Sequence, residues 1–272
     1  MAAPNQITTS QLSRLIGTPD CPVLIDVCID EDFHDDPRLI PSARRFPFSR
    51  IAELSQQLRG QRVVVICQKG KKLSSGASAL LRSLGIAAES LEGGNYAWRD
   101  AGLPLVPVDK IPKLTADGHT LWVTRHRPKI DRIACPWLIR RFIDPRAQFL
   151  FVPPTDVLDV ADRYNATPFD VEGVCWSHRG EGGEYCSFDT MVEEWKIGSD
   201  ALQRLATVVR GADTQRHDLA PEAAGLMAAS LGLSRMYRDD LDQLEAGMAL
   251  YDAFYRWARD AFDETHDWPT TK

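Results

Sequence analysis

Long apolar runs are missing from this sequence of 272 residues. No stretch approaches the roughly 20 apolar residues of a membrane span, so no helical membrane anchor is expected. Paired cysteines are missing as well. The six, at positions 21, 28, 67, 135, 175 and 186, show no CxxC spacing, which excludes a zinc ribbon and a disulfide framework. The opening residues hold neither a basic segment nor an apolar one, so no secretory signal is expected and a reducing cytoplasm is the expected compartment. An excess of positive charge is also absent. The net charge of −6 argues against nucleic acid as a partner, beyond local basic patches. There is no internal repeat and no low-complexity segment. What remains is the composition of a globular protein, 44% hydrophobic and 26% charged, long enough for two modest domains.

The most informative stretch is Val63-Val64-Val65-Ile66-Cys67-Gln68-Lys69-Gly70-Lys71-Lys72-Leu73-Ser74. Four β-branched residues predict a strand buried on both faces. Gly70 allows a tight loop, and Ser74 and Ser75 are candidate caps for a helix predicted over 76–84. Cys67 then stands at the end of a strand and ahead of a helix. Inward loop amides and the helix dipole favour a thiolate there. Lys69, Lys71 and Lys72 add positive charge suited to an anionic sulfur donor. The competing reading is a buried cysteine that only packs. A Gly-containing loop with three lysines does not look like core.

Around this stretch the pattern alternates. A short helix is predicted over 7–15, ended by Gly17, then a strand over 23–27 and an acidic surface loop over 31–37. A helix over 51–58, the strand into Cys67, a helix over 80–84 and a strand over 87–91 follow. Such alternation predicts a parallel sheet with helices on both faces and its site at the carboxyl ends of the strands. Residues 103–118, with Pro104, Pro107 and Pro112, read as a stiff linker.

The second half opens with a strand over 121–123. Ile130, Ile133, Ala134, Trp137, Leu138 and Phe142 then recur at helical spacing, with Pro136 forcing a late start or a kink. Six basic residues lie between Arg125 and Arg141 against a single Asp. Arg127, Arg132 and Arg140 are therefore candidates for holding an oxyanion or phosphate; a solvated basic face is the alternative. A strand over 148–152, a helix over 156–164 and an extended segment over 169–176 come next. The Gly-rich stretch 177–189 carries His178, two Glu and Cys186. His178 and Cys186 are candidate metal ligands, although the spacing fits no standard motif and a surface turn explains much of it. Asp213 and His217 are ligand types that nothing in the sequence joins to His178. Helices are predicted over 199–209, 221–231 and 241–259, with Met227, Met236 and Met248 as core residues.

Two resemblances add to this reading. Leu24-Ile25-Asp26-Val27, Ile40-Pro41-Ser42-Ala43-Arg44, the Cys67 to Lys72 loop, Leu80-Leu81-Arg82-Ser83-Leu84-Gly85 and Leu91-Glu92-Gly93-Gly94 with Ala97-Trp98 and Ala101-Gly102-Leu103-Pro104 resemble the rhodanese (sulfurtransferase) family. The resemblance implies a persulfide on Cys67, with Gln68, Lys69, Gly70, Lys71 and Lys72 forming the substrate-binding loop. Cys28, Leu39, Ser42 and Lys72 depart from the family's usual Arg, His, Gly and Arg. The stretch from Asp131 to Asp144, Ser177-His178-Arg179-Gly180, Cys186-Ser187-Phe188, Val209-Arg210-Gly211-Ala212-Asp213 and Ala220 to Leu226 resemble the C-terminal domain of the ChrB-type chromate-resistance family.

The expected organisation is a rhodanese-like α/β domain over 1–108, a linker over 109–119 and a mostly helical α+β domain over 120–272. The expected function is sulfur transfer from a sulfane donor through Cys67 to a thiol acceptor, linked to chromate or oxidant resistance. Sulfur transfer itself calls for no cofactor; a metal in the C-terminal domain is a separate expectation. Competing readings are a chromate- or redox-responsive regulator and a metal-dependent redox enzyme in the second half.

Overall fold

The computed structural model describes residues 4–181 and 184–264. The first half runs β1 (Gln6–Ile7), α1 (Thr9–Leu15), β2 (Val23–Asp26), α2 (Asp30–Asp35), β3 (Arg38–Leu39), β4 (Ala43–Arg45), β5 (Arg62–Ile66), α3 (Lys72–Ser83), β6 (Ala87–Leu91), α4 (Gly94–Asp100) and β7 (Val106–Pro107). Five strands pair in parallel in the order β1-β6-β5-β2-β4. Val63 to Ile66 of β5 are all 1% exposed or less, so both faces of the central strand are covered, as four β-branched residues in a row require. Separately, β3 pairs antiparallel with β7.

Three elements differ from the sequence reading. The acidic segment 31–37 is not a loop: Asp30–Asp35 is helical, with Asp30, Glu31 and Asp32 in its first turn and Phe33 buried. Acidic side chains at a helix amino end are stabilised by the dipole, which turns an apparent solvated loop into a start signal. Helix α3 begins at Lys72, ahead of the expected 76, so Ser74 lies inside its first turn and bonds back to the Lys71 carbonyl at 3.2 Å. The helix over 51–58 is a 3-10 segment, Phe48–Leu54, that continues only as turns.

The second half contains β8 (Leu121–Arg125), α5 (Asp131–Leu138), β9 (Gln148–Val152), α6 (Val157–Tyr164), β10 (Thr167–Pro168), α7 (Ser187–Glu194), α8 (Asp200–Asp213), α9 (Glu222–Met236) and α10 (Asp240–Asp260). Its small sheet is parallel, in the order β10-β8-β9. Pro136 sits inside α5, and a π turn, Ile139–Ile143, follows it. The segment 169–176 is not extended; it turns, and only Phe169 and Trp176 bridge across it. Met248 is buried, but Met236 is exposed at the end of α9 and belongs to no core. The Gly-rich stretch hides the start of α7, and its Gly182 and Gly183 lie outside the described residues.

One hydrophobic core runs through both halves. Gly17, at φ +82°, leaves no room for a Cβ beside the rings of Phe142 and Tyr255. Arg259 donates to the Arg14 carbonyl at 2.9 Å. The start of the expected linker is docked: the Trp195 indole donates to the Lys110 carbonyl at 3.0 Å, and Lys110 pairs with Glu194 at 2.6 Å. No helix among the described residues is long and apolar enough to cross a membrane.

Candidate functional site

Two separate groups of reactive side chains emerge. The first surrounds Cys67, the residue after β5. Its carbonyl accepts from the amides of Asn95 at 3.1 Å and Gly70 at 3.4 Å, and the Gln68 carbonyl accepts from Tyr96 at 3.0 Å. The loop therefore lies backbone to backbone on the start of α4. Gly70, Gly93 and Gly94 all have positive φ, and a Cβ on Gly70 or Gly94 would overlap the facing backbone. Glycine is needed there for both conformation and space.

Cys67 is 4% exposed, and its Sγ lies 3.2 Å from the Ser74 hydroxyl. Among the described residues, the amides of Lys69, Lys71, Lys72, Leu73 and Ser74 donate to no protein acceptor. They form a run of free donors at the amino end of a twelve-residue helix. Lys69, Lys71 and Lys72 are exposed on the same loop, whereas the Gln68 side chain is buried and reaches the Asp32 carbonyl at 3.5 Å. Sequence reasoning took Ser74 for a cap; its hydroxyl faces the cysteine instead.

Cys28 is close by, buried beyond the end of β2. Burial, and then the Asp26 carboxylate, push its thiol well above the ordinary range. Asn95 ties this corner together, donating to Asp26 at 2.8 Å and approaching the Cys28 Sγ at 3.5 Å.

The second group lies in the C-terminal half. Asp131 opens α5, Asp170 follows β10, Asp213 closes α8 and His178 stands on the segment before α7. The amides of Ser187 and Phe188, at the amino end of α7, donate to Asp131 at 2.8 and 3.0 Å. Asp170 pairs with Arg125 at 2.7 Å and Arg132 at 3.2 Å. His178 Nε2 faces Asp131, Asp170 and Asp213 together. The three carboxylates around it, Asp131 first, push His178 up to about 12. Burial raises Asp131 to about 6. Ile130, just ahead of Asp131, has φ +42°, a costly conformation for a β-branched residue, and its carbonyl is held by the Tyr251 hydroxyl at 2.7 Å.

The three arginines expected to hold an oxyanion do not converge. Arg127 donates to the carbonyls of Ser234, Tyr237 and Arg238 at the end of α9. Arg140 pairs with Glu245 at 2.5 Å. Only Arg132 reaches the His178 group. Cys186 is fully buried and caps α7, its thiol donating to Asp189 at 3.3 Å. Burial raises the thiols of Cys186 and Cys135 well above the ordinary value. His178 thus meets carboxylates from three other segments rather than Cys186, and His217 does not join it.

Comparison with known proteins places both halves. The model of the ChrB C-terminal domain matches residues 122–258, which is half of the chain. The chain belongs to the ChrB C-terminal domain family. The rhodanese-like domain model matches residues 8–101. Over 136 residues the chain is 36% identical to Protein ChrB of Cupriavidus metallidurans. They make up 49% of this chain and 39% of that protein, so the chain spans about two fifths of its curated relative. A rhodanese-related protein from Thermoplasma volcanium is 26% identical, covering 38% of this chain and 97% of its own at a TM-score of 0.32. A thiosulfate sulfurtransferase from Pseudomonas aeruginosa is 26% identical, covering 37% of this chain and 19% of its own at a TM-score of 0.31.

Proposed function

We propose that the chain is a sulfurtransferase that carries sulfane sulfur on Cys67, in the service of chromate or oxidant resistance. The observation that supports this most is the set of free amides of Lys69 and of Lys71 to Ser74 on the loop that begins at Cys67, with three exposed lysines on it. Unpaired amides and cations suit an anionic donor such as thiosulfate. In the first half-reaction the Cys67 thiolate attacks the outer sulfur of thiosulfate. The sulfur–sulfur bond breaks, and sulfite leaves with the electron pair. In the second, an acceptor thiolate attacks the outer sulfur of the Cys67 persulfide, which restores the Cys67 thiolate and yields an acceptor persulfide. The loop amides and Lys69, Lys71 and Lys72 orient the donor and offset the charge of the leaving sulfite.

The link to chromate rests on the ChrB-type half and on the curated relative's kinship. The test is turnover: sulfite release from thiosulfate with a small thiol acceptor, in wild type and Cys67→Ser. Multiple turnovers in wild type alone support the reading. Equal rates in both proteins, or none in either with thiosulfate and with polysulfide, contradict it.

A further inference from the structure

His178 Nε2 lies 3.3 Å from Asp170 Oδ1, 3.3 Å from Asp213 Oδ2 and 3.6 Å from Asp131 Oδ2. One imidazole nitrogen carries at most one hydrogen, so it satisfies one acceptor well and not three. All three separations exceed the roughly 2.7–3.2 Å of a good N–H···O bond. Those to Asp170 and Asp131 are close to the edge of a coordination polyhedron instead. With metal–ligand bonds of about 2.0–2.1 Å, tetrahedral ligand atoms lie about 3.3–3.4 Å apart. The ligand atoms of Asp131, Asp170 and His178 all fall within 4.8 Å of one another.

The carboxylates are also fixed from outside, as metal ligands are. Arg125 and Arg132 take Asp170 Oδ2, leaving Oδ1 toward His178. Ser187 Oγ adds a 3.2 Å bond to Asp170 Oδ1. The Phe188 amide holds Asp131 Oδ1, and the Ser187 amide steadies Oδ2. Asp131 and Asp170 are both buried, so this orientation is set by the fold and not by solvent.

We propose that Asp131, Asp170 and His178 bind one divalent first-row transition ion, with the Asp213 carboxylate as an outer-sphere neighbour. One imidazole nitrogen with carboxylate oxygens suits Mn2+, Fe2+ or Zn2+ over a soft, thiolate-bound ion. Cys186 stays outside the site, its thiol turned to Asp189. The site draws no residue from the Cys67 loop, so its loss is expected to leave sulfur transfer at Cys67 intact.

The test uses the full chain, purified without a histidine tag, stripped with a chelator and titrated with Mn2+ and with Zn2+. The bound metal is counted by elemental analysis. One ion per chain is expected. His178→Gln and Asp213→Asn should each weaken binding at least roughly tenfold, the loss that even an outer-sphere partner costs. Cys186→Ser should bind as wild type does. Far-UV circular dichroism reports whether each variant is folded, and Asp213→Asn carries the test if His178→Gln is not. Loading with Co2+ gives a second readout: visible d–d bands without a thiolate charge-transfer band. Failure of wild type to bind either ion stoichiometrically overturns the proposal. So does unchanged affinity in both folded variants, or a thiolate charge-transfer band lost in Cys186→Ser.

Discussion

Gly94 lies against the Cys67 carbonyl with no space between them for a methyl group. The loop that begins at Cys67 is therefore shaped by a glycine that is distant in sequence. Gly94→Ala should destabilise the protein by about 1–3 kcal/mol, from overpacking and from the positive φ. It should also slow sulfur transfer, because the loop must lift. Gly76, inside α3, faces open space and has no positive φ. Gly76→Ala should instead stabilise by about 0.5–1 kcal/mol. Urea unfolding of the two variants beside wild type checks both signs.

Ser74 makes a more local prediction. Its hydroxyl stands 3.2 Å from the Cys67 Sγ and 3.2 Å from the Lys71 carbonyl. Once Cys67 is a thiolate it can no longer donate, and the hydroxyl is the side-chain donor nearest at hand. Removing one such bond is worth about 1 kcal/mol, more when one partner is charged. Ser74→Ala should lower the sulfur-transfer rate several-fold while Cys67 persists as the sole sulfur carrier. Thiosulfate kinetics measured across pH would register the change.

The thiols should separate by reactivity. Cys175 is exposed, Cys135 and Cys186 are fully buried, and burial lifts Cys21 to about 11. A raised thiol has less thiolate at a given pH and alkylates more slowly. Iodoacetamide at about pH 8 should mark Cys175 first and spare Cys28, Cys135 and Cys186 until the protein unfolds. Labelling of Cys21 should accelerate as pH rises toward 11. Peptide mapping by mass spectrometry gives the order directly.

Arg127 distinguishes a structural basic residue from an anion-binding one. Its guanidinium is spent on carbonyls at the end of α9 and its amide on Asp240, at the start of α10. Arg127→Ala should lower stability by about 1–3 kcal/mol, because these acceptors lose a charged donor. Chromate or sulfate should protect wild type and the variant equally in thermal unfolding.

The sequence made the Cys67 site legible because its parts are local. A β-branched run, a cysteine, a glycine and a helix follow one another, and Gly93-Gly94 stands out as a pair. The His178 group was not legible for the opposite reason. Its carboxylates come from α5, the end of β10 and the end of α8, and only tertiary packing joins them. A partial signal existed at α7. Cys186 with Asp189 three residues on forms a capping box, but Cys is an unusual cap and the glycines ahead of it suggested a loop. The basic residues near α5 misled because their number was visible and their partners were not: Glu245 and the α9 carbonyls lie far along the chain.

The measurement closest to the central claim is the intact mass of the protein after thiosulfate, before and after a thiol acceptor, in wild type and Cys67→Ala. The account predicts a gain of one sulfur atom on wild type only, removed by the acceptor. An unchanged wild-type mass, or the same gain on Cys67→Ala, would contradict it.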